Sequence, residues 1–457
     1  MKQFFERKMI LALAAISLSV HLAAYAQDGA SAQDVESVPL TLEKAIEIAL
    51  ADNPTVIVAD KQIQLKQVSN TEAWQSLLPT ADLSGTVQYT VLAAEMKLGD
   101  QSFKMGRDET YTWNGQVQIA LPVFAPTVYA TMNLTKTDLE NAVEQSRSSK
   151  LDLVNQVSKA YFQLILAQDS YDALMQSYRQ SQRNYELINN MYQLGSASEY
   201  DKVSAEVQMR SIQPAVISAR NAINLAMLQL KVLMGVTSDV TFRVDDKLEN
   251  YEDILLSELM TVEDCSLENN TSMRQLALNE TMLNQTLRIQ KASFLPTLSL
   301  VGSYAVQSLY NDDLRLRNYD WGKSSSLVLS LSMPIFRASN FTKLKSTKLQ
   351  ISQLALNREY TQRQLDMQVR SYLDNMSASA EQISSNKEAV AQAEKGYEIA
   401  QKRYEIGGGT ILELNNSEIS VTSAKLTYSQ SIYDYLAAKA DLDKVLGNDD
   451  LINKYGK

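Results

Sequence analysis

Histidine and cysteine, the side chains behind most nucleophilic and metal chemistry, each occur once in this 457-residue chain, as His21 and Cys265. A Ser-His-Asp or Cys-His centre, a histidine metal site, an intrachain disulfide and a zinc knuckle all need more than that. His21 also lies in a stretch built as a secretory leader. Lys2, Arg7 and Lys8 come first, an apolar run spans Met9 to Leu22, and Ala24-Tyr25-Ala26 precede Gln27, so cleavage after Ala26 removes the histidine. No nucleotide-binding loop of the form G-x-x-x-x-G-K-[ST] occurs, so energy for any work must come from elsewhere. A net charge of −10 and a pI near 5.0, without a basic patch, argue against nucleic acid. No catalytic residue, cofactor site or metal site is expected. Cys265 reads as an inert small side chain, and the 22 tyrosines as packing and girdle residues rather than a ligand cage.

The elements that would position such residues are repeated. Beyond the leader no run of about 18 apolar residues remains, so no helix is expected to cross a bilayer. Eight prolines and 15 glycines are too few for a disordered chain or a many-turned β protein. At an offset of 217 residues Asn53 falls on Asn270, and Pro79 with its strand opening on Pro296. At an offset of 212, Leu121-Pro122-Val123-Phe124 falls on Met333-Pro334-Ile335-Phe336, Glu206-Val207 on Glu418-Ile419, and Tyr192-Gln193-Leu194-Gly195 on Tyr404-Glu405-Ile406-Gly407. Two structurally equivalent halves are expected. Each begins with a helical stretch (43–76, then 262–293), continues through two strands around a polar loop, and enters a very long helix (125–194, then 337–406). A glycine-containing tip and a last helix close each half (198–234, then 410–446), and Pro79, Pro122, Pro296 and Pro334 mark the helix–strand junctions.

The strands, at about 80–92, 111–122, 297–307 and 324–334, alternate apolar with small polar residues at period two. Leu83, Val87 and Tyr89 oppose Ser84, Thr86 and Gln88, while Leu327, Leu329 and Leu331 oppose Ser326, Ser330 and Ser332. Each is about 10 residues, the length of a tilted membrane strand. An amphipathic sheet packed on helices has the same pattern. The leader and the aromatic residues near the loop (Tyr89, Tyr111, Trp113, Tyr304, Tyr310, Tyr319, Trp321) favour a membrane girdle. In the long helix Val157, Tyr161, Leu164, Gln168, Tyr171, Met175, Tyr178, Gln182, Tyr185, Asn189 and Tyr192 follow coiled-coil spacing. Seventy residues of helix make a rod of roughly 105 Å, and the two shorter helices of each half, stacked end to end, would match it. Pro214 is expected to bend the last helix of the first half.

Four strands in lipid cannot close a barrel, and an open edge leaves backbone groups unpaired, so copies of the chain must share one. Two copies would give eight strands; three would give twelve and room for a lumen. A trimeric coiled-coil structural or adhesin-type surface protein is the alternative, but it leaves mid-chain strand pairs between matched helices unexplained.

Leu42-Glu43-Lys44-Ala45, Ala49-Leu50-Ala51-Asp52-Asn53-Pro54, the two Leu-Pro-Thr strand openings, Tyr192-x-x-Gly195 and Tyr404-x-x-Gly407 resemble the TolC-like outer membrane efflux protein family, over about 40–447. The resemblance implies an α-dominated membrane protein. Its homotrimer would form a 12-stranded β-barrel with four strands per chain, continued by a long periplasmic α-helical coiled-coil barrel. The expected layout is a signal peptide (1–26), an N-terminal extension (27–40), a first repeat (41–235), an equatorial linker (236–261), a second repeat (262–447) and a tail (448–457). The implied role is a passive exit duct in the cell outer membrane, for small molecules or polypeptides in tripartite efflux or type I secretion. It would sit in outer-membrane lipid, with a periplasmic adaptor (membrane fusion) protein and an inner-membrane RND-type or ABC-type pump as partners.

In that family the helical tip is the gate and docks the adaptor. The corresponding gate residues here are Asp201, Tyr404, Glu413 (in place of an aspartate) and Asn416 (in place of a second aspartate). Gly409 replaces the family's arginine, the position on which a tyrosine–arginine lock depends. A ring of Glu413 would select for cations, or Glu413 simply favours the first turn of its helix. Tyr192, Gly195, Ser196, Gly407, Gly408, Gly409 and Thr410 form the expected docking surface, or plain helix–helix turns.

Overall fold

The computed structural model describes residues 38–99, 101–236, 240–252, 265–312, 314 and 319–455. The expected leader and most of the expected linker lie outside the described residues. In chain order the first elements are β1 (Val38–Pro39), α1 (Leu42–Asp52), α2 (Pro54–Gln75), β2 (Thr80–Thr90), β3 (Ala94–Leu98), β4 (Gln101–Met105), β5 (Thr110–Phe124), α3 (Pro126–Gln193) and α4 (Glu199–Met234). There follow β6 (Phe242–Arg243), α5 (Thr271–Ala292), β7 (Thr297–Asn311), β8 (Gly322–Ser332), α6 (Ala338–Glu405), α7 (Ile411–Leu446) and α8 (Asp450–Tyr455). The chain divides into two compact units. In the smaller, β1 pairs in parallel with β6. The larger carries everything else.

Within the larger unit, α3 and α6 each have 68 residues, about 100 Å of helix. The flanking helices are also matched, α2 with α5 at 22 residues and α4 with α7 at 36. The junction between short helices is the same in both halves. Asn53 caps α2 through its side-chain oxygen (Thr55 N, 2.8 Å) and donates its amide to the Leu233 carbonyl at the end of α4, at 2.7 Å. Asn270 caps α5 (Met273 N, 3.0 Å) and donates to the Val445 carbonyl at the end of α7, also at 2.7 Å. Each buried asparagine therefore satisfies orphan groups of two helix ends at once.

The opening helical stretch is not continuous, however. Pro54 cannot donate into a helix and pushes Asn53 out of helical geometry (φ −68°, ψ 126°), so α1 ends at Asp52 and packs instead on α3, α4 and α8. The stack is shorter than expected by that segment. Likewise α5 begins at Thr271 after a 3-10 turn at Leu267–Asn269, and Cys265 precedes it, exposed. The tail carries α8, anchored by Arg147 of α3. Its guanidinium donates to Asp449 (2.7 Å), Glu144 (2.7 Å) and the carbonyls of Asn269 and Gly447 (both 2.9 Å).

The coiled-coil seam also departs from its expected line. Val157, Tyr161 and Leu164 are buried. Lower on α3 the buried set is Ser177, Ser181, Asn184 and Ile188, one residue ahead of Tyr178, Gln182, Tyr185 and Asn189. There α3 packs on α7 as well as α4, and the line facing both is not the line of the large aromatics.

The four long strands form one antiparallel sheet, ordered β2-β5-β7-β8. Its register places Leu83 beside Val117 and Tyr304, Ile119 beside Gly302 and Leu327, and Leu121 beside Leu300 and Leu329. The opposite face aligns Asp82, Gln118, Ser303 and Ser326, with the two serine hydroxyls 2.8 Å apart. One face is therefore mostly apolar and open, with Leu83 81% exposed and Leu331 70%; Ser325 and Lys323 of β8 interrupt it toward the loop end. Among the described residues β2 and β8 pair on one side only. Tyr89 and Tyr111 stack at 4.7 Å, and Trp113, Tyr319 and Trp321 form a chain of rings at the same end. Tyr304, by contrast, lies mid-sheet opposite Val117. The loop between β2 and β5 contains the β3–β4 hairpin where only a polar loop was expected; Met96 pairs with Phe103 across it. No described helix is long and apolar enough to cross a membrane.

Candidate functional site

The two helix tips are built from the same local chemistry. α3 ends where Gly195 takes a left-handed conformation (φ +76°) and the Ser196 amide returns to the Met191 carbonyl at 2.8 Å. α6 ends at Gly407 (φ +74°), with the Gly408 amide on the Arg403 carbonyl, also 2.8 Å. This is the six-to-one closure favoured by glycine after a helix. Each following helix opens with a reciprocal capping box: Ser198 with Asp201 on α4, and Thr410 with Glu413 on α7. Asp201 and Glu413 therefore have a local structural job within one chain.

Between the tips lies an apolar plug of Ile188, Ala205, Tyr404, Ile411 and Leu414, which joins α3, α4, α6 and α7. Tyr404 is 7% exposed; burial, and then the charge of Asp201, push its hydroxyl pKa above the usual tyrosine value. The structure thus brings Tyr404 and Asp201 together. Glu413 is half exposed and lies 3.8 Å from Arg403, whose guanidinium also donates to the Gly408 carbonyl at 3.0 Å. Arg403 thus places a positive charge beside Glu413 at this tip. At Gly409 a Cβ would sit 3.2 Å from the Arg403 Cβ and from the Tyr404 nitrogen, so any larger side chain crowds the end of α6. Asn416 is exposed and outside the plug. Tyr192 lies at the surface under the Lys202 ammonium, 5.1 Å from its ring centre.

Three features were missed by sequence reasoning. Leu194 and Ile406, the residues before the tip glycines, are each 84% exposed, and Tyr200 and Leu412, each second in the helix that follows, are exposed as well. The signal was present, since each pair is separated by 212 residues. Arg403, next to Tyr404, was the second. The third is Glu418, one turn beyond Leu414 of the plug and on the same face of α7 as Ile411 and Leu414. It is buried against Ser177, Ser181 and Asn184 of α3.

The sequence model described as "Outer membrane efflux protein" matches residues 45–236 and 264–448. The chain belongs to the outer membrane efflux protein family. Among curated members, it is 20% identical to the outer membrane protein TolC of Vibrio cholerae over 320 residues, 70% of this chain and 73% of that protein. To the alkaline protease secretion protein AprF of Pseudomonas aeruginosa it is 25% identical over 313 residues, 65% and 62% of the two chains. To TolC of Escherichia coli it is 22% identical over 308 residues, 65% and 61%. The matched stretch thus spans less than two thirds of the latter two proteins. Among solved structures of outer membrane efflux proteins and related channels, CusC superposes with a TM-score of 0.72 at 16% identity, over 93% of this chain and 95% of that one. The Campylobacter jejuni CmeC outer membrane channel gives 0.71 at 17%, over 94% of each. At such identities these likenesses establish the helix-dominated channel fold. The family is one of outer membrane channel proteins and not of enzymes.

Proposed function

We propose that three copies of this chain close a 12-stranded barrel in the outer membrane and form a passive exit duct for tripartite efflux or type I secretion. The observation that carries this reading is the four-stranded sheet. It has one mostly apolar face and two strands, β2 and β8, paired on one side only among the described residues. In lipid each unpaired backbone group costs several kcal/mol, so β8 of one copy must pair with β2 of the next. The two matched halves are repeats of one unit, at 41–235 and 262–447, and their paired long helices continue the barrel into the periplasm. Energy comes from an inner-membrane RND-type or ABC-type pump reached through a periplasmic adaptor. The plug around Tyr404, with Asp201, Glu413 and Asn416, is the gate. Tyr192, Gly195, Ser196 and Gly407 to Thr410, together with exposed Leu194 and Ile406, dock the adaptor. Purified full-length protein in detergent should be a trimer that conducts in planar bilayers. A monomer without conductance refutes the reading.

A further inference from the structure

We propose that Glu418 is a proton-controlled latch between α3 and α7, closed while its carboxyl group is protonated and released when it ionises. Glu418 is 3% exposed within a single chain, so no second copy is needed to bury it. One carboxyl oxygen accepts from the hydroxyls of Ser181 and Ser177, and the other from Asn184 Nδ2 at 3.1 Å. All these partners are neutral, and among the described residues no ion pair reaches Glu418. The equivalent residue 212 positions earlier, Glu206, pairs with Arg210 one turn on, at 2.8 Å. The same step from Glu418 leads to Thr422. This half of the chain therefore holds a buried carboxyl group without the cation its counterpart has.

The charged and titratable groups facing it are few. From α6 come Glu394 and Tyr397, from α7 Lys425, and from α3 Arg183. Lys425 is taken by Glu394 at 2.7 Å, and Arg183 by the side chain of Gln180. Tyr397 shares the network as a neutral phenol, bonded to Gln180 and Asn184. A cavity of about 220 Å³ lined by Gln180, Glu394, Tyr397, Glu418, Thr422 and Lys425 lies beside the carboxyl group, a route by which water can deliver the proton. Burial pushes the Glu418 pKa above the usual carboxylate value even though Ser181, Asn184 and Ser177 favour the charged form. Because the folded pKa is raised, the contact is strongest below the ordinary carboxylate range. It weakens as pH rises through the folded value, when an ionised carboxylate left among neutral groups gains by reaching water.

The latch rests on the chain's own packing, and only its consequence for conduction depends on the duct reading. The test uses the full-length protein in detergent, with Cys265→Ser and spin labels at exposed positions 182 on α3 and 420 on α7, diluted with unlabelled chains. Between about pH 4 and about pH 9 the label distance should lengthen in the parent protein. In Glu418→Gln, which mimics the protonated acid, it should stay short throughout. Ser181→Ala, which removes one bond to the charged form, should move the midpoint upward by about one pH unit. A pH-independent distance in the parent, or the same transition in Glu418→Gln, overturns the proposal. Should Glu418→Gln fail to assemble, an unmoved midpoint in Ser181→Ala overturns it instead. The same proteins in planar bilayers separate the two ideas: a distance transition in a protein that never conducts refutes the duct and leaves the latch standing.

Discussion

Replacing Asn53 tests whether the end-to-end helix junction holds the long wall together. In Asn53→Ala three bonds are lost: the cap on α2, in which the side-chain oxygen accepts from the Thr55 amide at 2.8 Å and from its hydroxyl at 2.6 Å, and the 2.7 Å bond to the Leu233 carbonyl. An N-cap is worth about 1 kcal/mol, and a buried carbonyl left without its donor costs about 2 kcal/mol more. Local opening of the junction should therefore become easier by about 3 kcal/mol, roughly 150-fold in the opening equilibrium. Asn53→Asp separates the two parts. It keeps the cap, since aspartate caps as well as asparagine, and replaces the donor to Leu233 with an oxygen that repels the carbonyl. Hydrogen exchange at the first amides of α2 and the last turn of α4 measures the opening. Both variants should exchange faster at the end of α4, but only the alanine variant should show the full loss at the start of α2. If Asn53→Asp exchanges like the parent at both places, the bond to Leu233 carries nothing and the reasoning fails. Asn270→Asp should repeat the result at the α5–α7 junction, because Asn270 likewise caps one helix and donates to the last turn of another.

Other substitutions separate nearby alternatives. Gly195 and Gly235 both have positive φ, but a Cβ at Gly195 meets open space, whereas one at Gly235 would lie 2.6 Å from the Asp52 carbonyl oxygen. Gly195→Ala should cost about 1 kcal/mol, and Gly235→Ala several times that, read as thermal midpoint and yield of assembled protein; equal costs would contradict the close approach of α4 to Asp52. Val117→Lys places a charge on the apolar face of the sheet and Gln116→Lys on the polar face. The first should lower the stability of the inserted protein by about 2–4 kcal/mol and the second little, and the reverse order would invert the assignment of lipid and lumen faces. Leu194→Ser with Ile406→Ser should leave oligomer and conductance intact while weakening adaptor binding at least about tenfold, measured with purified adaptor. Unchanged affinity would remove these residues from the docking surface.

Much of this protein is legible along the chain because much of it is local or repeated. The alternation of Leu327, Leu329 and Leu331 with serines follows from the two-residue period of a strand. Gly195 and Gly407 mark helix ends because only glycine takes that conformation without strain. Ser198–Asp201 and Thr410–Glu413 are capping pairs at a spacing visible in the residues themselves. Even the helix break at Asn53 was within reach, since Pro54 announces it. The β3–β4 hairpin was less so, because five-residue strands that each contain a lysine, Lys97 and Lys104, resemble an exposed loop.

What no single stretch contains is which residues meet across great separations in sequence. Asn53 finds Leu233, Arg147 finds Asp449, and Glu418 finds Ser181, each through helices whose relative rotation is set by all their contacts together. Periodicity defines a face on α3 but not the angle at which α4 and α7 divide it, so the tyrosine line seemed the seam while Ser177, Ser181, Asn184 and Ile188 took its place. Composition and spacing alone determined the kind of the long elements and their recurrence along the sequence. The tertiary structure decided which charges lose their water, because burial is a property of neighbours supplied from hundreds of residues away.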